Sequence, residues 1–261
     1  MSRIRMAVSQ GRGQLWRTGL VLVMALAAGV AACGGGSSVP GPPPSSLGVV
    51  QNRPIPDIPL VDERGQPTSL AAYRGRVVVL ASFLTLCQET CPLTTGAFLS
   101  MHRAVTTAGL DNRVVFIEAT VDPDRDSSAR LAAYTQLSGA RWPLLTGTPE
   151  NLASLWKFFG AYYEKTPVAT PPGIDWLTHQ PLTYDVSHSD GFFLIDARGH
   201  ERFATIATPD VGGQLKPALS NLLGEQGHRD LSHPGTPSWT PSQGLQAIGW
   251  LVGRNIAPAS S

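Results

Sequence analysis

Arg76-Val77-Val78-Val79-Leu80-Ala81-Ser82-Phe83-Leu84-Thr85-Leu86-Cys87-Gln88-Glu89-Thr90-Cys91-Pro92 is the stretch on which the fold turns. Arg76 to Phe83 is an apolar, β-branched run of strand length, which reads as a buried central strand. Leu93 to Thr107 follows with Leu93, Ala97, Phe98 and Met101 spaced as the face of a helix laid on a sheet. Between them stand two cysteines four apart, at a strand-to-helix junction. Four helical residues rise about 6 Å, inside the roughly 4.4–6.8 Å between Cα atoms that a disulfide accepts. The pair can therefore close on itself or grip a thiophilic ion. A third ligand decides between those uses, and the candidate is His188.

Upstream, Arg3, Arg5, Arg12 and Arg17 make a positive start without acids, and Leu20 to Ala32 is a thirteen-residue apolar core. That core is shorter than the about 20 residues a spanning helix needs. It ends in Val30-Ala31-Ala32-Cys33, small residues before a cysteine. This pattern is expected to be a secretory signal, residues 1–32. The cysteine at the cut resembles the bacterial lipoprotein type, with Cys33 as the lipidated residue. Without the leader, Lys and Arg fall from 20 to 16 against 19 acids, a net charge of −3. No basic surface recruits nucleic acid, and an acyl chain is expected to hold the protein at the membrane. With Cys33 lipidated, Cys87 and Cys91 are the remaining cysteines of an exported chain in an oxidising compartment.

Residues 33–52, rich in glycine, proline and serine, read as a tether. The body is expected over 53–224. Asp57 to Gln66 suggests a short hairpin, Val114 to Val121 a second buried strand, and Asp126 to about Leu137 a helix closed by Gly139. Thr148 caps a helix with Pro149 at its first position, running to Phe159. Lys165 to Thr183, with four prolines, reads as an irregular loop. Gly191–Asp196 and Glu201–Ile206 form strands around a turn, and Asp210–Leu223 is expected as a final helix. Alternating strands and helices ending in a hairpin give an α/β fold with a mixed central sheet flanked by helices. The Pro/Gly-rich tail, 225–261, is expected to be loosely docked or disordered, with an apolar turn at Gly244–Val252.

Four segments occur in order: Cys87-Gln88-Glu89-Thr90-Cys91-Pro92; Thr120-Val121-Asp122-Pro123-Asp124-Arg125-Asp126; Leu145 to Glu150; and Tyr184-Asp185-Val186-Ser187-His188-Ser189 before Phe193-Leu194-Ile195-Asp196. Together they resemble the Sco/SenC family of thioredoxin-like copper proteins over roughly Arg53 to Leu223. The resemblance implies a thioredoxin-like fold and a copper ion, Cu(I) or Cu(II), held by Cys87, Cys91 and His188. It also implies a redox-active Cys87–Cys91 pair able to form a disulfide. The implied partner is the copper-centre subunit of cytochrome c oxidase, supplied at the extracytoplasmic face of the membrane or in the periplasm. Family members usually carry proline after the first cysteine; Gln88 stands there, leaving a backbone N–H and greater freedom between the ligands.

The ligand types agree with that reading on their own terms. Thiolates suit Cu(I) and imidazole suits Cu(II), and binding requires deprotonated sulfur, so oxidation of the pair gates loading. Cys91, at a helix start, is expected to feel that terminus's partial positive charge, which favours its thiolate. The alternative is a thiol–disulfide oxidoreductase that reduces the acceptor's cysteines. A monomer is expected. Asp122 and Asp126 read as loop-shaping residues, His179 as an occasional visitor to the metal, and Glu118 is left without a role.

Overall fold

The computed structural model describes residues 39–259. The segment read as a leader, residues 1–32, and Cys33 lie outside them. The sheet begins with β1 (Val49–Pro54), which straddles the boundary expected at 52/53 and takes in the last residues of the stretch read as linker. β2 (Leu60–Asp62) and β3 (Pro67–Thr68) form the expected hairpin, followed by a 3-10 turn at Leu70–Tyr73. β4 (Val77–Phe83) is buried at every position, as the valine run requires. α1 (Cys91–Thr107) then carries the chain to β5 (Val114–Thr120), parallel to β4 and equally buried. Parallel neighbours need such a crossover, because a tight turn cannot join them.

α2 (Ser128–Ser138) starts at Ser127, whose side chain accepts from Arg130 N–H, and ends at Gly139, with φ 74°. β6 (Leu144–Thr146) follows, then α3 (Pro149–Phe159), capped by Thr148. β7 (Tyr163–Thr166) and β8 (Asp185–His188) form a separate antiparallel ribbon. β9 (Gly191–Ile195) and β10 (His200–Ile206) complete an eight-stranded mixed sheet ordered β1-β10-β9-β4-β5-β6-β2-β3. β9 lies antiparallel beside β4. The start of β9 therefore abuts the end of β4, and this register brings the histidine segment to the cysteines.

Two expectations fail beyond β10. The helix foreseen over Asp210–Leu223 shrinks to α4 (Pro217–Ser220), after a short strand β11 (Thr208–Pro209). Gly212 and Gly213, at φ 66° and 71°, break the helical path, and Pro217 becomes a first-turn residue. The tail is not loosely docked but folded: α5 (Glu225–Ser232), β12 (Ser238–Trp239) and α6 (Pro241–Val252). Trp239 stacks on Phe192 with ring centroids 4.6 Å apart and donates its indole N–H to Ala207 O. Leu245, Ala247, Ile248 and Val252 are buried where α6 meets α1 and β4. A Thr240–Gln243 capping box starts that helix. The proline and glycine content marks the joints between these elements rather than disorder. Among the described residues no helix is long and apolar enough to cross a membrane.

Candidate metal centre

The chain leaves β4 at Phe83 and enters α1 at Cys91, so the cysteine loop caps the C-terminal end of the central strand. Helix starts leave N–H groups without intrahelical partners. Here Cys91 N–H donates to Cys87 Sγ at 3.4 Å, and the sulfur takes the place of a side-chain cap. Thr90, in the capping position, instead donates its hydroxyl to Asp190 Oδ1 at 2.5 Å. Cys91 Sγ in turn accepts from Leu84 N–H at 3.4 Å. Both cysteines are buried free thiols.

His188 ends β8, and Ser189 and Asp190 lead into β9. Ser82 pins that turn to the end of β4: its hydroxyl donates to Ser189 O at 2.8 Å and accepts from Gly191 N–H at 3.0 Å. The imidazole Nδ1 lies 3.2 Å from Ser189 O, an arrangement that places the proton on Nδ1 and directs Nε2 inward. Nε2 stands 3.5 Å from Cys91 Sγ. The ligand atoms of Cys87, Cys91 and His188 all lie within 4.8 Å of one another. Among the described residues no other group of three or more such side chains converges in this way.

The two sulfurs are electrostatically unequal. The hydrogen bond with the Cys91 thiol, aided by His188, holds Cys87 well below the usual thiol range despite its burial. Burial, then the neighbouring Cys87 sulfur, pushes Cys91 well above it. Burial disfavours the charged imidazole, but the Cys87 thiolate and Asp190 outweigh that and raise His188 to about 9. These directions favour charge on Cys87 over Cys91, with a charged His188 beside it. This corrects the expectation for Cys91: the Cys91 thiol hydrogen bond chiefly, with His188 and the helix-start N–H adding to it, favours charge on Cys87 instead.

The loop is fastened from several sides. Asp126, fully buried and raised to about 6 by that burial, accepts from Thr85 N–H at 3.1 Å, from the Thr85 hydroxyl and from Thr120 Oγ1 at 2.6 Å. Trp176 Nε1 donates to Thr85 O at 2.8 Å. Asp126 thus ties the cysteine loop to the end of β5, a link not foreseen, while in the loop after β5 Asp122 holds Arg125 and the Tyr184 hydroxyl. His179 is exposed at φ 58° and is not brought to the cluster. Glu118 is a fully buried acceptor for Thr95 Oγ1 and Trp142 Nε1, raised by burial to about 7. Sequence reasoning missed Ser82, Trp176 and Asp190. Only Asp190 carried a signal, an acid two positions after the histidine. A mouth of about 420 Å³ opens over the cluster, edged by Glu89, Asp185, Asp190 and Glu225. That rim favours an approaching cation.

The SCO1/SenC family profile matches residues 52–212, which include all three converging side chains. The chain belongs to the SCO1/SenC family. It is 29% identical over 143 residues to the mitochondrial protein SCO2 homolog of Mus musculus, covering 55% of this chain and 52% of that protein. It therefore spans about half the length of that curated relative. The SCO1 protein homolog of Bacillus subtilis is likewise 29% identical over 143 residues, covering 54% of this chain and 71% of that protein. The crystal structure of Arabidopsis thaliana ScoI with copper bound superposes with a TM-score of 0.50 at 20% identity, covering 64% of this chain and 92% of that one. This last likeness shows the thioredoxin-like fold.

Proposed function

We propose that this SCO1/SenC protein is an extracytoplasmic copper carrier, tethered by a lipid on Cys33, that supplies the binuclear copper centre of cytochrome c oxidase. The observation that carries the reading is the convergence of Cys87, Cys91 and His188 within 4.8 Å. Two sulfurs and one imidazole suit both oxidation states of copper. The ion would replace the Cys91 proton and the charge on His188, so loading releases protons and is favoured as pH rises. Transfer proceeds by ligand exchange, the acceptor's sulfurs displacing these one at a time through the acidic mouth.

The test is copper binding by the reduced protein, compared with Cys87→Ser, Cys91→Ser and His188→Ala. One ion per chain is expected, lost or weakened in each variant. Unchanged stoichiometry and affinity in all three would end the reading.

A second reading rests on the inequality of the sulfurs. The Cys87 thiolate attacks an acceptor disulfide, Cys91 loses its proton and resolves the mixed disulfide, and the acceptor leaves as a dithiol. The Cys87–Cys91 bridge left behind is then reset by an external dithiol. This activity needs no metal bound through His188. Full function of His188→Ala in restoring an oxidase favours reduction over delivery.

A further inference from the structure

The family match ends at residue 212, yet the chain continues and returns to the cysteine loop. Gly224, just before α5, donates its N–H to Gln88 O at 2.8 Å. Gly227, buried in the first turn of α5, packs against the same backbone. A Cβ there would stand 2.6 Å from Gln88 O and 3.0 Å from Glu89 O. Those carbonyls belong to the peptide between the two cysteines. Being backbone atoms, they offer no flexible side-chain end that could swing aside.

The other side of Gln88 is gripped as well. Its Nε2 donates to Ile174 O at 3.2 Å, and its Oε1 lies 2.4 Å from where a Cβ on Gly173 would stand. The freedom expected at Gln88 is therefore absent: α5 holds its backbone and the 173–174 segment holds its side chain. Glu225 and Gln226 of α5 also line the mouth over the metal cluster. α5 thus stands at the entrance to the sulfurs.

We infer that α5 and the 173–174 segment form a clamp on Gln88, through which a part of the chain beyond the family match sets how readily the cysteine loop opens. Gln88, Gly224 and Gly227 are positioning residues; none is a ligand. The inference rests on the copper-carrier reading for its biological meaning, but the opening of the loop is measurable without copper.

The experiment compares Gly227→Ala in the full chain with Gly235→Ala, a control in the same segment with no atom within 4 Å of its added Cβ. The first readout is the alkylation rate of reduced Cys87 by iodoacetamide, resolved from Cys91 by peptide mapping. The second is the rate at which Cu(I) passes to bicinchoninate, and the third is the thermal midpoint. Overpacking against a backbone carbonyl is expected to speed Cys87 alkylation and copper release roughly tenfold or more. Gly235→Ala is expected to match wild type in both rates. Wild-type rates in folded Gly227→Ala overturn the clamp. Should Gly227→Ala not fold, Gln88→Ala decides: faster alkylation supports the clamp and an unchanged rate overturns it. A wild-type protein that takes up no copper defeats the carrier reading alone, and the alkylation rates still judge the clamp.

Discussion

The sulfur arm and the imidazole arm of the metal centre are built differently. Cys87 and Cys91 sit between the central strand and the helix packed on it, in a loop held by Asp126, Trp176, Asp190 through Thr90, and Gly224. His188 ends a two-stranded ribbon outside the main sheet, held through Ser189 by Ser82 and flanked by Asp190. The cysteines belong to the hydrophobic core itself, whereas His188 lies at the end of a ribbon that is not hydrogen-bonded into the main sheet. On the proposed reading, the sulfur arm would set whether the ion binds, and the imidazole arm how completely it is enclosed and how easily one ligand leaves first.

The largest effect separates the arms outright. Cys91→Ser is expected to abolish tight copper binding, because a hydroxyl neither ionises nor bonds copper as a soft thiolate does. Competition with a Cu(I) chelator measures it, and retention of wild-type affinity breaks the comparison. His188→Ala should come next. It is expected to keep Cu(I) on the two sulfurs but weaken Cu(II) by at least about 100-fold, more than loss of an outer-shell partner would. The thiolate-to-Cu(II) absorption band, shifted or lost, is the spectroscopic check. Equal weakening of Cu(I) and Cu(II) would mean that the two arms are not separable.

Asp190 joins the arms, lying 4.0 Å from His188 Nδ1 while accepting from Thr90 and Thr208. Asp190→Asn retains one acceptor oxygen and removes the charge that supports the imidazolium. It is expected to lower copper affinity by about 10-fold to 100-fold, the range of second-layer substitutions. Because Asp190 helps raise His188 to about 9, the variant's imidazole should titrate at lower pH. A histidine titration followed by NMR in the metal-free protein reads this directly, and an unmoved midpoint counts against the coupling.

The strands at the centre were legible because β-branched runs such as Val77–Val79 have few alternatives to burial. The ligand set was legible because the motif order carried it. The inequality of the sulfurs was not, since it depends on how the two thiols and His188 meet once the loop is folded and buried. The pins at Ser82, Trp176 and Gly227 were also hidden, because each acts across a long sequence separation on a backbone atom that no pattern of side chains reveals. The tail was misread for a different reason. Its proline and glycine content masked a helix whose start, Thr240-Pro241-Ser242-Gln243, carried the cap signal.

The smallest effect concerns the floor beneath the sulfur arm. Glu118 on β5 accepts from Thr95, one helical turn beyond Cys91, and from Trp142. Its folded value of about 7 lies above the ordinary 4.5, with burial as the first cause. The native state therefore binds this proton more tightly than the unfolded chain. Its stabilising contribution is complete below about pH 4.5, declines as pH rises toward about 7, and is absent above that. The decline amounts to at most about 3 kcal/mol at 1.36 kcal/mol per pH unit. Asp126, raised to about 6 from 3.8, acts in the same direction and leaves a slope of its own between about pH 3.8 and 6. Glu118→Gln keeps a carbonyl acceptor and carries no titrating proton, so its unfolding free energy should vary less over that window while copper stoichiometry stays the same. Denaturant melts at several pH values measure the slope. An identical slope in Glu118→Gln would remove Glu118 from the account, and a change in stoichiometry would show that the floor and the sulfur arm are one unit.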